Sequence, residues 1–250
     1  LDISHSNVEV IESESFSNLR LLKKLLLNGN KIKIIPSFSF HSLNNLETLD
    51  LSSAQVETVQ ENAFFGLNSI QFFDFSKNKL NSLNIYILGD LFNAYKIDLS
   101  QSNVENIQAL SFEMQTNLVE LELSKNKLSV IENRTFENLF NLKTLRVSYS
   151  NVEIINVMAF SGLQNLENLY LNNNNLKILA NLLFQHLHNL VYMDISHSNI
   201  NKVEPNAFYG LSNNLKELKL ENNNLSMIEN YTFKYLTNLT TFDLSSCSYN

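Results

Sequence analysis

The chain has 250 residues, of which 44% are hydrophobic and 17% charged, and its formal net charge is −7. This apolar content is sufficient for a substantial core, which excludes an intrinsically disordered chain. The mild acidity argues against a protein that tracks nucleic-acid phosphates with Lys and Arg, so no nucleic-acid partner is predicted.

Segments of alternating apolar and polar residues recur from the N terminus onward. The first is Leu1-Asp2-Ile3-Ser4, and clear later examples are Leu121-Glu122-Leu123-Ser124 and Leu169-Tyr170-Leu171-Asn172. Such alternation predicts a short strand with one buried face. The residues between these segments, for example 131–142, return the chain to the start of the next strand. No single unit can bury its own leucines, so the units must stack.

The segments recur with a period of 24 residues, and three apolar columns keep the same spacing. The phenylalanine column reads Phe16, Phe40, Phe64, Leu88, Phe112, Phe136, Phe160, Phe184, Phe208 and, after an inserted residue near Asn213-Asn214, Phe233. An aliphatic column reads Ile11, Ile35, Val59, Leu83, Ile107, Ile131, Ile155, Leu179, Val203 and Ile228. A leucine column reads Leu19, Leu43, Leu67, Leu91, Gln115, Leu139, Leu163, Leu187, Leu211 and Leu236.

Stacking of these columns predicts an α/β solenoid, a curved horseshoe with one parallel sheet on its concave face. The convex side should be mostly irregular or short-helical and should carry a stacked aromatic spine. Residues 1–250 are predicted to form a single domain of about ten repeats plus a partial one.

In the turn after each strand, asparagine alternates with a small residue. This slot reads Ser6, Asn30, Ala54, Asn78, Ser102, Asn126, Ser150, Asn174, Ser198, Asn223 and Cys247, so the effective unit is 48 residues. A buried asparagine amide can donate twice and accept once, so each asparagine is predicted to bridge neighbouring coils, while serine makes fewer bonds and alanine none. The alternative is duplication of a two-repeat block without physical meaning, and the sequence favours neither.

Strand residues that face the concave side include an acidic stripe, which consists of Asp50, Asp74, Asp98 and Glu122. Their carboxylates should lie about 5 Å apart and repel one another unless a partner compensates. The stripe is either a site for a basic ligand or simply a consequence of the sequence Leu-Asp-Leu-Ser, which is frequent in such repeats.

Arg146 interrupts the stripe and introduces a candidate ligand-binding patch. It is predicted to lie with Tyr149, Tyr170 and Tyr192 on adjacent strands. Asn168, Asn172 and His197 flank them. Tyr and Arg dominate binding hot spots because they offer large rigid or forked contacts. The alternative is ordinary variation on a solvated face.

Four N-glycosylation sequons begin at Asn133, Asn224, Asn230 and Asn238. Chance alone gives about six in a chain of this composition, so their number carries no information. Asn133 and Asn230 occupy the same slot before the phenylalanine, on the convex flank, where a glycan could reach solvent. Glycosylation is expected only if the chain is secreted.

Candidates for catalysis or metal binding are weak. His186 and His188 have no carboxylate or cysteine at ligand spacing nearby. Cys247, the only cysteine, has no identifiable base partner and can form no internal disulfide. The sequence therefore predicts no enzyme, no metal and no cofactor.

The pattern LxxLxLxxNxLxxIxxxxFxxLxx resembles the typical 24-residue class of leucine-rich repeats along the whole chain, and residues 118–128 and 142–145 carry it clearly. This class is found chiefly in extracellular proteins such as Toll and Toll-like receptors, chaoptin and Slit. The resemblance implies a cell-surface recognition ectodomain that binds a protein or microbial macromolecule on its concave or lateral face. An intracellular scaffold or adaptor is the alternative.

The resemblance also raises expectations about assembly. A homodimer through a lateral face is one of them. The chain opens in mid-repeat and stops one strand into a new unit, so it is expected to be an uncapped fragment of a longer array. No apolar run approaches the roughly 18 residues of a spanning helix, so membrane contact is expected only through segments outside this chain.

Overall fold

A computed structural model of the protein describes residues 1–211, 214–225 and 227–247. It consists of short strands, turns and one helical turn. In chain order, the elements are β1 (Lys24–Leu26), β2 (Ile34–Ile35), β3 (Thr48–Asp50), β4 (Thr58–Val59), β5 (Phe72–Asp74), β6 (Ser82–Leu83), α1 (Ile85–Leu88), β7 (Lys96–Asp98), β8 (Asn106–Ile107), β9 (Glu120–Glu122), β10 (Val130–Ile131), β11 (Thr144–Arg146), β12 (Ile154–Ile155), β13 (Asn168–Tyr170), β14 (Ile178–Leu179), β15 (Tyr192–Asp194), β16 (Lys202–Val203), β17 (Glu217–Lys219) and β18 (Thr241–Asp243).

Ten of these strands form one parallel sheet in the order β1-β3-β5-β7-β9-β11-β13-β15-β17-β18. Each strand pairs with its equivalent one coil later, as Leu25 does with Leu49. Across the inserted residue the step lengthens, and Met193 pairs with Leu218. From β1 to β17 the central residue of each strand is buried, so one face of the sheet packs on the core and the other faces the concave side. The predicted parallel-strand solenoid is confirmed.

The phenylalanine column forms the predicted spine behind the sheet. Ring centroids of Phe112, Phe136, Phe160, Phe184 and Phe208 follow one another at 6.1–6.2 Å with stacked planes. The rings are fully buried. A second stacked run joins Phe16, Phe40 and Phe64 at 5.7 and 5.8 Å. Stacked rings at this spacing add to the free energy gained from burial alone.

The two exceptions to the apolar columns lie in contact with each other. Leu88 replaces a phenylalanine and Gln115 replaces a leucine, and the Gln115 amide Nε2 donates to the Leu88 carbonyl at 2.7 Å. On β5, Phe73 and Phe75 stand where most other strands carry aliphatic residues. Their rings pack edge-on against Phe64 at 5.0 and 6.4 Å. These two rings thus extend the aromatic packing at Phe64, the last phenylalanine before Leu88.

The asparagine slot works as predicted, with one correction. Asn126 Nδ2 donates to the carbonyls of Leu123 in its own coil and Leu99 in the preceding one, at 2.7 and 2.9 Å. Its Oδ1 accepts two backbone N–H groups, from Ser102 and Val104, both at 3.0 Å, rather than the single one predicted. An amide oxygen has two lone pairs, so both bonds can form.

Serine in the same slot makes fewer and longer bonds. Ser150 Oγ lies 3.2 Å from the Leu123 carbonyl and 3.3 Å from the Ser148 carbonyl, and it accepts from the Asn126 N–H at 3.3 Å. The hydroxyl has one proton for its two carbonyl neighbours. The difference between the two kinds of turn is therefore confirmed.

The 48-residue unit is also visible on the convex side, where four two-stranded sheets were not predicted. They pair β2 with β4, β6 with β8, β10 with β12, and β14 with β16. Each joins an asparagine-bearing coil to the serine- or alanine-bearing coil that follows. Between these units, exposed ion pairs lie at Glu57–Lys79, Glu105–Lys127 and Glu153–Lys177, with N···O distances of 3.5–3.9 Å. The alternation therefore has a physical consequence.

The convex side is mostly irregular, as expected, but among the described residues only α1 is helical. No helix in that part of the chain has the length and apolarity needed to cross a membrane.

Candidate functional site

The acidic stripe lies where it was predicted. Asp50 pairs with Asp74, Asp74 with Asp98, and Asp98 with Glu122, as direct neighbours on the concave face of the sheet. Each carboxylate also accepts the N–H of the serine two residues later at 2.9 Å. These residues therefore have a structural role in the turn whether or not they bind a ligand.

Asp74 is the stripe residue whose side-chain pKa is raised. Burial raises the pKa of its carboxyl group above the usual value, and repulsion from Asp98 and Asp50 adds to this, while hydrogen bonds from Ser76 oppose it. Among the described residues, the only ion pair on the stripe joins Glu122 to Arg146 at 3.9 Å. The three aspartates thus carry negative charge without a cation bound to it.

Beyond the stripe, a continuous row of cationic and aromatic side chains crosses four strands. The Arg146 guanidinium lies 4.8 Å from the ring centroid of Tyr170, the ring centroids of Tyr170 and Tyr192 are 5.1 Å apart, and Lys219 Nζ lies 5.6 Å from the centroid of Tyr192. We call these four residues the cation–tyrosine row. Their side chains are part-exposed, so their contacts order them without removing them from solvent.

The row arises from the register of the sheet. Arg146 pairs directly with Tyr170, and Tyr170 and Lys219 each lie diagonally across from Tyr192. Burial raises the pKa of the Tyr192 hydroxyl, and hydrogen bonding to Tyr192 raises the pKa of Lys219. Tyr192 therefore stays neutral and Lys219 charged at neutral pH.

Two members of the predicted patch lie elsewhere. Tyr149 and His197 are not on strands but in the turns after β11 and β15, with left-handed φ angles of 58° and 52°. Both are exposed at the rim of the concave face. The prediction that Tyr149 lies on a strand with the other tyrosines is therefore wrong, because the turn begins before it.

Of the two flanking asparagines, Asn168 begins strand β13 and Asn172 follows its end. Asn168 pairs with Tyr192, and Asn172 Oδ1 accepts from the Ser148 hydroxyl at 2.6 Å. Lys219 was not predicted as part of the site. It could have been found by extending the column through Arg146 and Tyr170 and testing diagonal as well as direct neighbours.

The sequon asparagines are all exposed. Asn133 and Asn230 lie in equivalent turns, since the following threonines, Thr135 and Thr232, are both buried and donate to the carbonyls of Glu132 and Glu229. Asn133 Oδ1 accepts the Met158 N–H at 3.1 Å.

The remaining candidates for chemistry have structural environments. Cys247 is buried, and its Sγ lies 3.5 Å from the Leu220 carbonyl, the same contact that Ser198 makes with Leu171. His188 Nδ1 lies 3.4 Å from the Gly210 carbonyl. No group of three or more metal-ligating side chains occurs within residues 1–211, 214–225 and 227–247.

Comparison with protein families gives two matches. A model described as "BspA type Leucine rich repeat region (6 copies)" matches residues 33–154 and 129–249, and one described as "Leucine rich repeat" matches residues 1–56. No curated protein sequence matches the chain. BspA-type repeats are bacterial and not specific, so these matches do not single out the Toll-like class.

Solved structures share the fold. A TLR13–ssRNA13 complex is 26% identical over 96% of this chain and 34% of that chain, with a TM-score of 0.85. The glycosylated Toll–Spatzle complex of Drosophila is 24% identical over 96% and 35% of the two chains, with a TM-score of 0.76. A Leptospira interrogans LRR protein is 24% identical over 97% and 59%, with a TM-score of 0.76.

This chain spans about a third of the length of the two receptor chains. One of these structures is a complex with an RNA and another with a protein, so the fold likeness does not support the exclusion of nucleic acid. The matched families and structures are binding scaffolds, and none supplies evidence of catalysis.

Proposed function

Since this chain belongs to the BspA-type leucine-rich-repeat family, we propose that it is a non-enzymatic recognition domain that binds a protein ligand on its concave face. The proposed centre of the contact is the cation–tyrosine row. The parent protein is proposed to act at the cell surface or outside the cell, on the resemblance of its repeats to the typical 24-residue class.

The observation that carries this proposal is the departure of the row from the rest of the sheet. At the strand position of Arg146, Tyr170 and Lys219 the other coils are largely acidic. These three residues and Tyr192 instead form successive contacts of 4.8, 5.1 and 5.6 Å. Because tyrosine rings lose little conformational entropy on binding and arginine offers a forked donor, an ordered row of this kind is a typical hot spot.

A protein is favoured over a nucleic acid because the face is acidic on both sides of the row. Asp98 and Glu122 precede it, and Asp194 and Asp243 lie within or beyond it. A phosphate backbone following the sheet would meet these carboxylates, and its binding would be opposed by their charge.

The second candidate, an intracellular scaffold, would use the same face. It differs in one observable: a chain that passes through the secretory pathway can carry sugar at Asn133 or Asn230. A mass decrease on enzymatic deglycosylation of the protein from its natural source supports the extracellular assignment, and sugar on neither residue supports the scaffold.

The binding proposal is tested by screening the immobilised chain against panels of secreted proteins and microbial surface polymers. Arg146→Glu combined with Tyr170→Ala is expected to weaken any true ligand by at least about tenfold. The matched control is Lys234→Glu with Tyr235→Ala, which removes a cation–π contact of the same 4.8 Å from the convex side. Equal binding of a ligand to the natural chain, the double variant and the control contradicts the proposal. Loss of binding in the control alone also contradicts it.

A further inference from the structure

A second aromatic cluster lies at the other end of the concave face, outside the cation–tyrosine row. Phe72 is the first residue of β5, where the neighbouring strands carry Thr48 and Lys96. Its side chain is 45% exposed, as is that of Tyr95, and the two ring centroids are 6.1 Å apart. Phe72 therefore presents a part-exposed apolar ring at a position where the neighbouring strands carry polar side chains.

The Phe72 ring and the acidic stripe line the same depression. Phe72 and Asp74 lie two residues apart on β5 and therefore share the concave face. A cavity of about 310 Å³ is lined by Phe72 together with Asp50, Asp74 and Asp98. One wall of this cavity is thus aromatic and another is anionic.

Two lysines also line the cavity, and they do not neutralise it. Lys96 forms an ion pair with Glu120 on the neighbouring strand at 3.1 Å. Lys24 lies at the end of the cavity and makes no ion pair with the stripe within the described residues. Three carboxylates therefore face the cavity against one unpaired ammonium group.

We propose that the Phe72–Tyr95 pair and the adjoining cavity bind a lysine- or arginine-bearing segment of a protein. The alkyl stem or guanidinium plane of such a side chain packs on the aromatic rings, while its charge lies among Asp50, Asp74 and Asp98. This combination satisfies both walls at once, since cations are attracted to ring faces and to carboxylates. A neutral apolar segment would leave the carboxylates unpaired, and an anionic one would be repelled by them.

The inference deepens the proposed function, on which it rests for the use of the concave face. The ligand would meet the cation–tyrosine row on β11, β13, β15 and β17. It would present a basic segment to β3, β5 and β7 of the same sheet. Since parallel strands lie about 4.8 Å apart, one folded protein or one extended segment spans both sites.

The test uses two dye-labelled peptides, one of alternating lysine and leucine and one of alternating glutamate and leucine, with the whole chain at physiological ionic strength. Fluorescence anisotropy is expected to show binding of the lysine peptide alone. Phe72→Ala and Tyr95→Ala should each weaken it by at least about fivefold, and Asp74→Asn by a smaller factor. The matched control is Phe140→Ala, which removes a phenylalanine of equal 45% exposure from a turn outside the concave strands.

Three results overturn the inference: no binding of the lysine peptide, equal binding of the glutamate peptide, or unchanged binding by both Phe72→Ala and Tyr95→Ala. Arg146→Glu with Tyr170→Ala should bind the lysine peptide at least as tightly as the natural chain does, because the new carboxylate lies beside Glu122 at the end of the stripe. If that double variant loses the lysine peptide while Phe72→Ala keeps it, the basic segment binds elsewhere and only this inference fails. The proposed function fails separately, when the double variant keeps the macromolecular ligand.

Discussion

The interior of the solenoid and its concave face share one 24-residue spacing but differ in how far each coil resembles the next. Behind the sheet, phenylalanine follows phenylalanine at 5.7–6.2 Å, and asparagine alternates with a small residue. On the concave face, the same strand position changes from Asp98 to Arg146 to Tyr170 over a few coils. Stacking favours similar side chains in successive coils, whereas a solvent-facing position can change without disturbing the core.

This comparison predicts that interior substitutions change stability and that concave ones change binding. The largest effect is expected at the spine. Phe136→Ala should lower the free energy of unfolding by about 3–5 kcal/mol, because it removes a fully buried ring and its stacking partners on both sides. Phe140→Ala, at an exposed position four residues away, should cost about 1 kcal/mol or less. Urea unfolding measures both, and equal losses would show that the spine does not hold the coils together.

An intermediate effect is expected at the turn slot. Asn126→Ala should cost about 2–4 kcal/mol, because four backbone groups in two coils lose their partner. Ser102→Ala should cost about 1 kcal/mol, since the serine hydroxyl makes fewer bonds and shares its one proton between the carbonyls of Phe75 and Ser100. Melting temperatures that fall by the same amount in the two variants would remove the physical basis of the 48-residue unit.

The smallest effect is expected on the stripe, where a change should stabilise. Asp74 has a raised folded-state pKa, so the folded chain binds more protons than the unfolded one and its stability falls as pH rises. Asp74→Asn removes the charge and keeps an oxygen for the Ser76 N–H. The gain at neutral pH should be about 1 kcal/mol or less, because the group is part-exposed and solvent screens it.

The gain from Asp74→Asn should shrink as pH falls through the raised pKa and vanish below the usual value of 3.8. Melting temperatures of both proteins across this range give the measurement. A variant that is less stable than the natural chain at neutral pH would show that the carboxylate is compensated in the folded state.

Much of the interior could be predicted from the sequence, because each buried column repeats the same residue at the same spacing. Phe136, Asn126 and the register of Asp74 all lie where the period places them. The convex strands were not predicted, because each has only two residues and is too short to show the alternation that marks a strand, even where its residues favour strands, as in Ile34–Ile35 and Val130–Ile131.

The candidate site was predicted less completely for a related reason. The 24-residue period gives direct neighbours, such as Arg146 and Tyr170, but Lys219 reaches Tyr192 diagonally, across the inserted residue. Tyr149 was misplaced because the sequence does not mark where the strand ends and the left-handed turn begins.

Hydrogen exchange of the chain with and without a bound ligand from the proposed screen tests the central claim most directly. Binding at the cation–tyrosine row predicts slower exchange of backbone amides in β11, β13 and β15, and unchanged exchange in the convex strands β10, β12 and β14. Protection confined to the convex strands, with β11, β13 and β15 exchanging as in the free chain, would contradict it.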